Sequence, residues 1–195
     1  MSAHSVNWSL AVPAIALAVS GLIILVVGVL RRGGEGFFPC AMLTIASFVG
    51  CGFLVALSAN GTAYGGTFVN DSFARFMKIL ALLGGLLATI VTVGYQAEEQ
   101  GTQRPLPFET PVLMLFSTLG AMIMASSANL MTLFVGLELS SLSIYILCAL
   151  ERDKLQSSEA GLKYFVLGSL ASGLLLYGMS LVYGYAGTMD YSGLI

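Results

Sequence analysis

The stretch "MTLFVGLELSSLSIYILCAL", residues 131–150, decides the fold class, because it is a continuous apolar run long enough to cross a bilayer. Twenty residues of α-helix rise about 30 Å, which matches the hydrocarbon thickness of a membrane. The run lacks the alternation of apolar and polar residues that marks a barrel strand. Its single charged residue, Glu138, lies near the middle. We therefore predict a membrane-spanning helix with a carboxylate close to the bilayer centre.

The composition of the whole chain agrees with this prediction. Of its 195 residues, 57% are apolar and 9% are charged, and the mean hydropathy is +0.90. A soluble domain of this size cannot bury so large an apolar share. The net charge of −2 provides no basic field for nucleic acid. The sequence therefore predicts an integral membrane protein with the lipid bilayer as its surroundings and no nucleic-acid partner.

Six apolar runs are long enough to cross a bilayer, and helices satisfy the backbone of such runs in lipid. We predict an all-α integral membrane protein with about six transmembrane helices. The runs cover approximately Ala11–Leu30, Phe38–Leu57, Phe76–Tyr95, Thr110–Ser127, Leu130–Leu150 and Ala160–Tyr183.

Basic residues in the connections predict the orientation. Arg31 and Arg32 follow the first run, Arg104 follows the third, and Arg152 and Lys154 follow the fifth. If the spans alternate in direction, all of these residues fall on one side, which the positive-inside rule makes cytoplasmic. The N-terminus is then predicted on the outer, periplasmic side.

Two basic residues contradict that pattern, because Arg75 and Lys78 lie at the outer start of the third run. Asp71, four residues before Arg75, is placed to form an ion pair with it, which reduces the free-energy cost of a basic residue on the outer side. The connection 58–72 is polar and rich in glycine, so it is predicted as an external loop. The link 126–129 is so short that the fourth and fifth spans are predicted to form an antiparallel hairpin.

Glu138 is the strongest candidate for chemistry. An acidic residue at the centre of a span costs about 2.5–3.5 kcal/mol to insert, so we expect it to face the bundle interior or water and to have a partner. Ser141 and Tyr145 share its helical face and are placed to donate hydrogen bonds or to hold a water molecule. Gly136 permits another helix to approach closely. The alternative is that Glu138 only joins helices by hydrogen bonding.

Lys163 is the second candidate, about one turn inside the sixth run. Glu159, four residues earlier, is placed to form an ion pair with it. Lys163 is therefore either a proton-translocating residue or an interfacial salt-bridge residue that extends to the membrane surface. The sixth run also carries small residues four apart on adjacent faces, which predicts tight packing against neighbouring helices: Gly168 with Ser172, and Ser169 with Gly173.

No motif indicates a cofactor or a metal ion held by this chain. Cys40, Cys51 and Cys148 lie in apolar runs at no metal-ligand spacing, and we expect them to be small packing residues. There is no P-loop, no dinucleotide fingerprint and no Cys or His cluster for an iron–sulfur cluster or haem. His4, the single histidine, is in the N-terminal segment and is given no role.

Two segments resemble a known family. "FVGLELSSLSIYIL" at 134–147 and "SSEAGLKYFVLGSLASGLLLYGMSLVYG" at 157–184 resemble the antiporter-like membrane subunits of respiratory complex I, and within them the N-subunit family. Multi-subunit cation/proton antiporters share the "GLEL" segment. The resemblance implies that Glu138 is the family's acid that tunes the proton affinity of a buried lysine. It implies that Lys163 belongs to a polar axis for proton translocation.

The resemblance also implies a setting. Family members have about fourteen helices in two inverted half-units, so residues 1–107 would supply three helices and residues 108–195 a truncated start of the proton-translocation unit. The family's central lysine is then expected beyond residue 195. The implied function is proton translocation coupled to NADH oxidation and quinone reduction in a bacterial inner membrane, beside other membrane-arm subunits. NAD, FMN, iron–sulfur clusters and quinone are expected in other subunits, and the isolated chain is not expected to be catalytic.

Two alternatives stay open at this point. One is a subunit of a multi-subunit cation/proton antiporter, which sodium- or potassium-dependent exchange without NADH oxidation would identify. The other is a structural or assembly bundle of helices with no transport role. In that case Glu138→Gln would be silent, while bulky substitutions at Gly168 or Ser172 would disrupt assembly.

Overall fold

Helices account for most of the described chain. The computed structural model describes residues 8–31, 36–98, 106–151 and 153–194, with the side chains of 97 and 98 excepted; His4, Arg32, Arg104 and Arg152 lie outside these ranges. Six α-helices and two short strands are found there: α1 Val12–Leu30, α2 Phe37–Leu57, β1 Gly61–Ala63, β2 Phe68–Asn70, α3 Ser72–Glu98, α4 Glu109–Ala125, α5 Leu130–Cys148 and α6 Leu155–Ala186.

The six helices correspond in order to the six predicted spans. Five of them, all except α4, are long and apolar enough to cross a membrane. α4 has 17 residues, or about 26 Å, and it stops short of the predicted Ser127. The reason is that Ser126 and Ser127 leave the helix to contact β2: Ser126 O accepts from Val69 N at 2.8 Å, and Ser127 pairs with Phe68. The protein is an all-α multi-pass membrane protein with one small hairpin that the sequence reading placed in a loop.

Local sequence signals set the helix ends. α1 has Pro13 in its first turn, where the missing N–H would have no helical partner in any case. α5 is capped by Asn129, whose side-chain oxygen accepts from Met131 N at 2.8 Å. α6 ends at Ala186 and is capped by Gly187, which has φ 71°. Glycine adopts this left-handed conformation without a Cβ penalty.

Three connections meet at one end of the bundle, which we call the hairpin face: the β1–β2 hairpin, residues 126–129 and residues 187–191. β1 and β2 pair antiparallel, and a bridge joins Phe68 to Ser127. A second bridge joins Asn129 to Asp190, and Asn129 Nδ2 also donates to Asp190 Oδ1 at 2.6 Å. Thus α3 and α5 start at the hairpin face, and α2, α4 and α6 end there. This is the alternation that the orientation argument assumed, while the side on which the N-terminus lies stays a prediction.

The apolar core lies among α1 to α4. It includes Leu17 of α1, Phe48 of α2 and Leu115 of α4, and Leu139 of α5 packs at its edge. Cys40 and Cys51 are buried in it, as the packing prediction requires. Cys148, at the end of α5, is exposed instead, so the packing prediction is not met there. α6 contributes nothing to this core and packs at the edge of the bundle.

Glycines build the contact between α4 and α5. A Cβ at Gly120 would lie 2.5 Å from Gly136 O, and one at Gly136 would lie 2.9 Å from Gly120 O. Beside this crossing, the hydroxyls of Ser117 and Ser140 are 3.1 Å apart. The predicted antiparallel hairpin and the close approach at Gly136 are both confirmed. One side of α5 therefore faces α4, which leaves another side for α6.

Candidate functional site

Glu138 lies near the middle of α5, on the side that faces α6. It comes eight residues after Leu130, which places it about 12 Å from the hairpin face. The side chain is half-buried. Its Oε1 accepts a hydrogen bond from the hydroxyl of Ser172, a residue of α6, while no described residue donates to Oε2. The expectation that this acid has a partner on the bundle side is met by a hydroxyl from the neighbouring helix.

Tyr145, one of the two predicted donors, packs on α6 instead of bonding to Glu138. It is buried, and its ring makes edge contacts with Tyr164 at 4.7 Å and Phe165 at 6.0 Å between centroids. Its hydroxyl rests on Gly168, where an added Cβ would lie 1.9 Å from the hydroxyl oxygen.

Ser141, the other predicted donor, is half-buried on α5. A role of these two side chains in holding water stays a prediction, while the direct hydrogen bond to Glu138 comes from Ser172 and not from Ser141 or Tyr145. The physical reason is the absence of a side chain at Gly168. It lets α6 approach α5 closely enough for Ser172, one turn further along, to reach the carboxylate.

The two small-residue faces of α6 have different environments. Gly168 and Ser172 face α5, as described above. On the adjacent face, a Cβ at Gly173 would meet nothing within 4 Å, and the exposed Ser169 hydroxyl donates to its own helix at Val166 O. The prediction of close packing is confirmed for the first pair and not for the second among the described residues.

Lys163 lies on the opposite side of α6 from Glu138. Its Nζ is 2.5 Å from Glu159 Oε1, and the two side chains are 70% and 55% exposed, so the predicted ion pair is confirmed. Nine residues separate Lys163 from Ser172, which is about 14 Å and two and a half helical turns. Lys163 therefore points away from α5, and the structure does not bring it to Glu138.

Lys78, a buried lysine on α3, has no functional prediction from the sequence, in which it is only an exception to the orientation rule. Lys78 is 2% exposed, and its Nζ donates to Asn70 Oδ1 at 2.9 Å. Sequence spacing cannot distinguish a lysine that faces lipid headgroups from one that faces a neighbouring strand. The available signal was its place inside a span, since intramembrane ionisable residues mark functional sites by default.

The predicted pair between Asp71 and Arg75 does not form. Asp71 Oδ1 accepts from Ala74 N at 2.6 Å and so caps the start of α3. Arg75 instead donates to Ser58 O at 2.7 Å and to Asn60 Oδ1 at 2.6 Å. Both side chains thus hold the connection between α2 and α3 in place, which the i,i+4 spacing alone did not reveal.

Within the described ranges, the structure contains no group of three or more His, Cys, Asp or Glu side chains that could hold a metal ion. The polar groups near the α5–α6 contact are one carboxylate and hydroxyls. Such a set can bind and release protons and hold water.

These features belong to a multi-pass membrane chain, and comparison with known proteins shows a similarity to antiporter-like membrane subunits. Residues 127–195, which include Glu138, Lys163 and Ser172, match the family described as "NADH:quinone oxidoreductase/Mrp antiporter, TM". The resemblance noted from the sequence is confirmed by individual relatives.

The relatives are N subunits. The chain is 65% identical over 188 residues to NADH-quinone oxidoreductase subunit N of Gluconacetobacter diazotrophicus, covering 96% of this chain and 39% of the relative. It is 49% identical over 190 residues to the subunit of the same name from Rhodospirillum rubrum, covering 94% and 38%. The chain thus spans about two fifths of the length of the curated relatives it matches.

Solved structures show the same fold. Respiratory complex I from Thermus thermophilus with bound aureothin contains a chain that matches with a TM-score of 0.71 and 29% identity, over 91% of this chain and 38% of that one. The membrane-bound sulfane sulfur reductase, an archaeal respiratory membrane complex, matches with a TM-score of 0.73 over 94% and 39%. At 18% identity, this second match supports the fold alone.

Proposed function

We propose that this chain is part of a membrane-arm subunit of a proton-pumping NADH:quinone oxidoreductase in a bacterial inner membrane. It would contribute to proton translocation coupled to NADH oxidation and quinone reduction. The observation that carries the proposal is the Glu138 carboxylate, held at mid-helix by a hydroxyl from the next helix. The similarity to N subunits supports the setting. The chain acts as part of an enzyme complex whose NAD, FMN, iron–sulfur clusters and quinone lie in other subunits, with other membrane-arm subunits as partners.

In this proposal Glu138 is the proton-linked acid of the α5–α6 contact. Ser172 fixes the direction of one carboxylate oxygen, while Oε2 receives no hydrogen bond from the described residues. A water molecule that approaches Oε2 can exchange a proton with it. A basic group that approaches Oε2 interacts with it electrostatically. Opposite charges within about 4–6 Å stabilise each other's ionised forms. A change in the charge of Glu138 therefore changes the proton affinity of a nearby basic group.

The test is Glu138→Gln in the complete subunit within the assembled complex. Glutamine keeps an oxygen that accepts from Ser172, so the helix contact is retained while the ionisable proton is lost. We expect NADH-driven proton uptake to fall, with unchanged assembly. The matched control is Glu151→Gln, an exposed acid that pairs with Lys154 at 2.7 Å, which should pump normally. Full pumping by an assembled Glu138→Gln complex would refute the proposal.

Ser172 supplies a second test of the same contact. Ser172→Ala removes a hydrogen bond to a carboxylate, an interaction of about 1.5–3 kcal/mol. If the hydrogen bond stabilises the transition state of proton transfer, the pumping rate should fall by about tenfold or more. Ser172→Thr keeps the hydroxyl and should restore pumping. Equal loss in both variants would show that the volume of the side chain matters and the hydroxyl does not.

Lys163 has two candidate roles that one pair of variants separates. We propose that it carries or biases a proton transfer, and Lys163→Met should then reduce pumping more than Glu159→Gln. If Lys163 acts only through its ion pair, removal of either partner breaks the same interaction. Equal effects of the two variants would therefore assign Lys163 to the salt bridge alone.

A cation/proton antiporter is the second candidate function, and it is favoured by the family description, which names both systems. Reconstituted vesicles distinguish the two. Sodium- or potassium-dependent proton exchange without NADH oxidation supports the antiporter. Proton uptake that requires NADH and quinone supports the first proposal.

A further inference from the structure

Lys78 is the buried ionisable residue that the α5–α6 site does not use. It lies six residues after Ser72, the first residue of α3, and so about 9 Å from the hairpin face. Glu138 is about 12 Å from the same face, on α5. α4 packs against both α3 and α5. Lys78 and Glu138 therefore lie at similar depths on the two sides of α4.

No described carboxylate forms an ion pair with Lys78, and Asp71 acts on it only from a greater distance. The strongest contact is the hydrogen bond to Asn70 Oδ1, and Nζ also lies 4.8 Å from the centre of the Phe68 ring. Both partners are neutral, and no described carboxylate lies within ion-pair distance of Nζ. Buried charges in proteins are ordinarily paired, and a lysine kept only for structure would be expected to face an acid.

The side chain of Asn70, which accepts the hydrogen bond from Lys78, is held in place by contacts that do not involve the lysine. Asn70 Nδ2 donates to Ser58 Oγ at 3.0 Å and to Ala59 O at 2.7 Å, which directs Oδ1 towards the lysine. A carboxamide oxygen accepts from an ammonium and from a neutral amine alike. The lysine can therefore lose or gain a proton without breaking the contacts that hold the hairpin.

The same contacts lead outward to solvent at the hairpin face. Ser58 O accepts from Arg75, which also donates to the exposed Asn60. The titratable groups close enough to act on Lys78 are Cys51 of α2, and Asp71 and Arg75 at the start of α3. α4 contributes no titratable group near Lys78, because its single titratable residue, Glu109, lies in its first turn, at the end away from the hairpin face.

We propose that Lys78 is a second proton-binding site of this membrane domain, reached from the hairpin face through the polar contacts around Asn70. The inference extends the proposed function, since it adds a proton site across α4 from Glu138. Its test requires neither electron transfer nor pumping, so it can fail while the proposed function stands, and the reverse also holds.

The test uses the full chain in lipid nanodiscs with lysine labelled at Nζ and Cε. Lys78, Lys154 and Lys163 are the lysines of the chain, so three signals are expected, and Lys78→Arg assigns the first. We expect the Lys78 signal to titrate reversibly at a pH distinct from that of the other two, with an unchanged backbone spectrum. The exposed Lys154 and Lys163 serve as internal controls.

Asn70→Leu provides the matched perturbation, because it removes the acceptor at similar volume. It should shift the Lys78 midpoint and leave the Lys154 and Lys163 midpoints in place. A Lys78 signal that stays constant while the fold is intact, or that titrates together with Lys154, would overturn the proposal and leave Lys78 as an anchor of the hairpin. The titration itself is measured on the wild-type chain, and a variant is needed only to assign the Lys78 signal.

Discussion

The substitution Gly168→Ala, which adds one carbon atom, is the most direct test of the contact between α5 and α6. A Cβ there would lie 1.9 Å from the Tyr145 hydroxyl oxygen and 2.4 Å from its Cζ. Overpacking of this kind costs about 1–3 kcal/mol, while Ala in place of Gly inside a helix gains up to about 1 kcal/mol. Gly168→Ala should therefore be neutral to destabilising by about 2 kcal/mol. Gly173→Ala, with nothing within 4 Å of its Cβ, should be stabilising by up to about 1 kcal/mol.

The two variants are compared by denaturant unfolding in detergent micelles, followed by the loss of helical circular dichroism. The double variant Gly168→Ala with Tyr145→Phe should recover part of the loss, because it removes the nearest atom and leaves Cζ in place. A double-mutant cycle measures this coupling. Equal stability changes for Gly168→Ala and Gly173→Ala would refute the contact, and so would a cycle with no coupling.

Two further predictions concern the hairpin of α4 and α5. Gly120→Val should destabilise the fold by about 3 kcal/mol or more, because the new side chain meets the backbone of Gly136. The control is Gly84→Val, on α3, where an added Cβ meets nothing within 4 Å. Equal unfolding midpoints for the two variants would contradict the prediction. Asn129→Ala removes the cap of α5 and the hydrogen bond to Asp190 and should cost about 1–2 kcal/mol. Amide hydrogen exchange should then accelerate in the first turn of α5, and unchanged exchange there would contradict this assignment.

The helices were predictable because each apolar run is about as long as a bilayer is thick, and lipid leaves the backbone few alternatives. The β1–β2 hairpin was not, since its strands are three residues each and lie in a stretch rich in glycine. Their stability comes from contacts with residues 126–129, which are far away in sequence. α4 was predicted two residues too long for the same reason, because Ser126 and Ser127 are drawn into that contact.

The candidate site was predictable in part. The depth of Glu138 followed from counting residues, and the ion pair of Lys163 followed from helical spacing. The donor to Glu138 did not follow, since Ser172 is 34 residues away and only the packing of α6 on α5 brings it close. The small-residue spacing on α6 predicts a packing role for Ser172 and assigns nothing to its hydroxyl. The burial of Lys78 against Phe68 and Asn70 of β2 depends on the fold of the β1–β2 hairpin, which no local sequence pattern predicts.

The attachment of α6 at the hairpin face determines how this helix can move. Leu130 N donates to Met189 O at 3.0 Å, and Tyr191 N donates to Ala128 O at 3.1 Å, so sliding along the axis would break backbone hydrogen bonds. At the other end of α6, Ser157 Oγ donates to Cys148 O at 2.7 Å. α5 and α6 are therefore held to each other at both ends, and the contact between Glu138 and Ser172 lies between two fixed points.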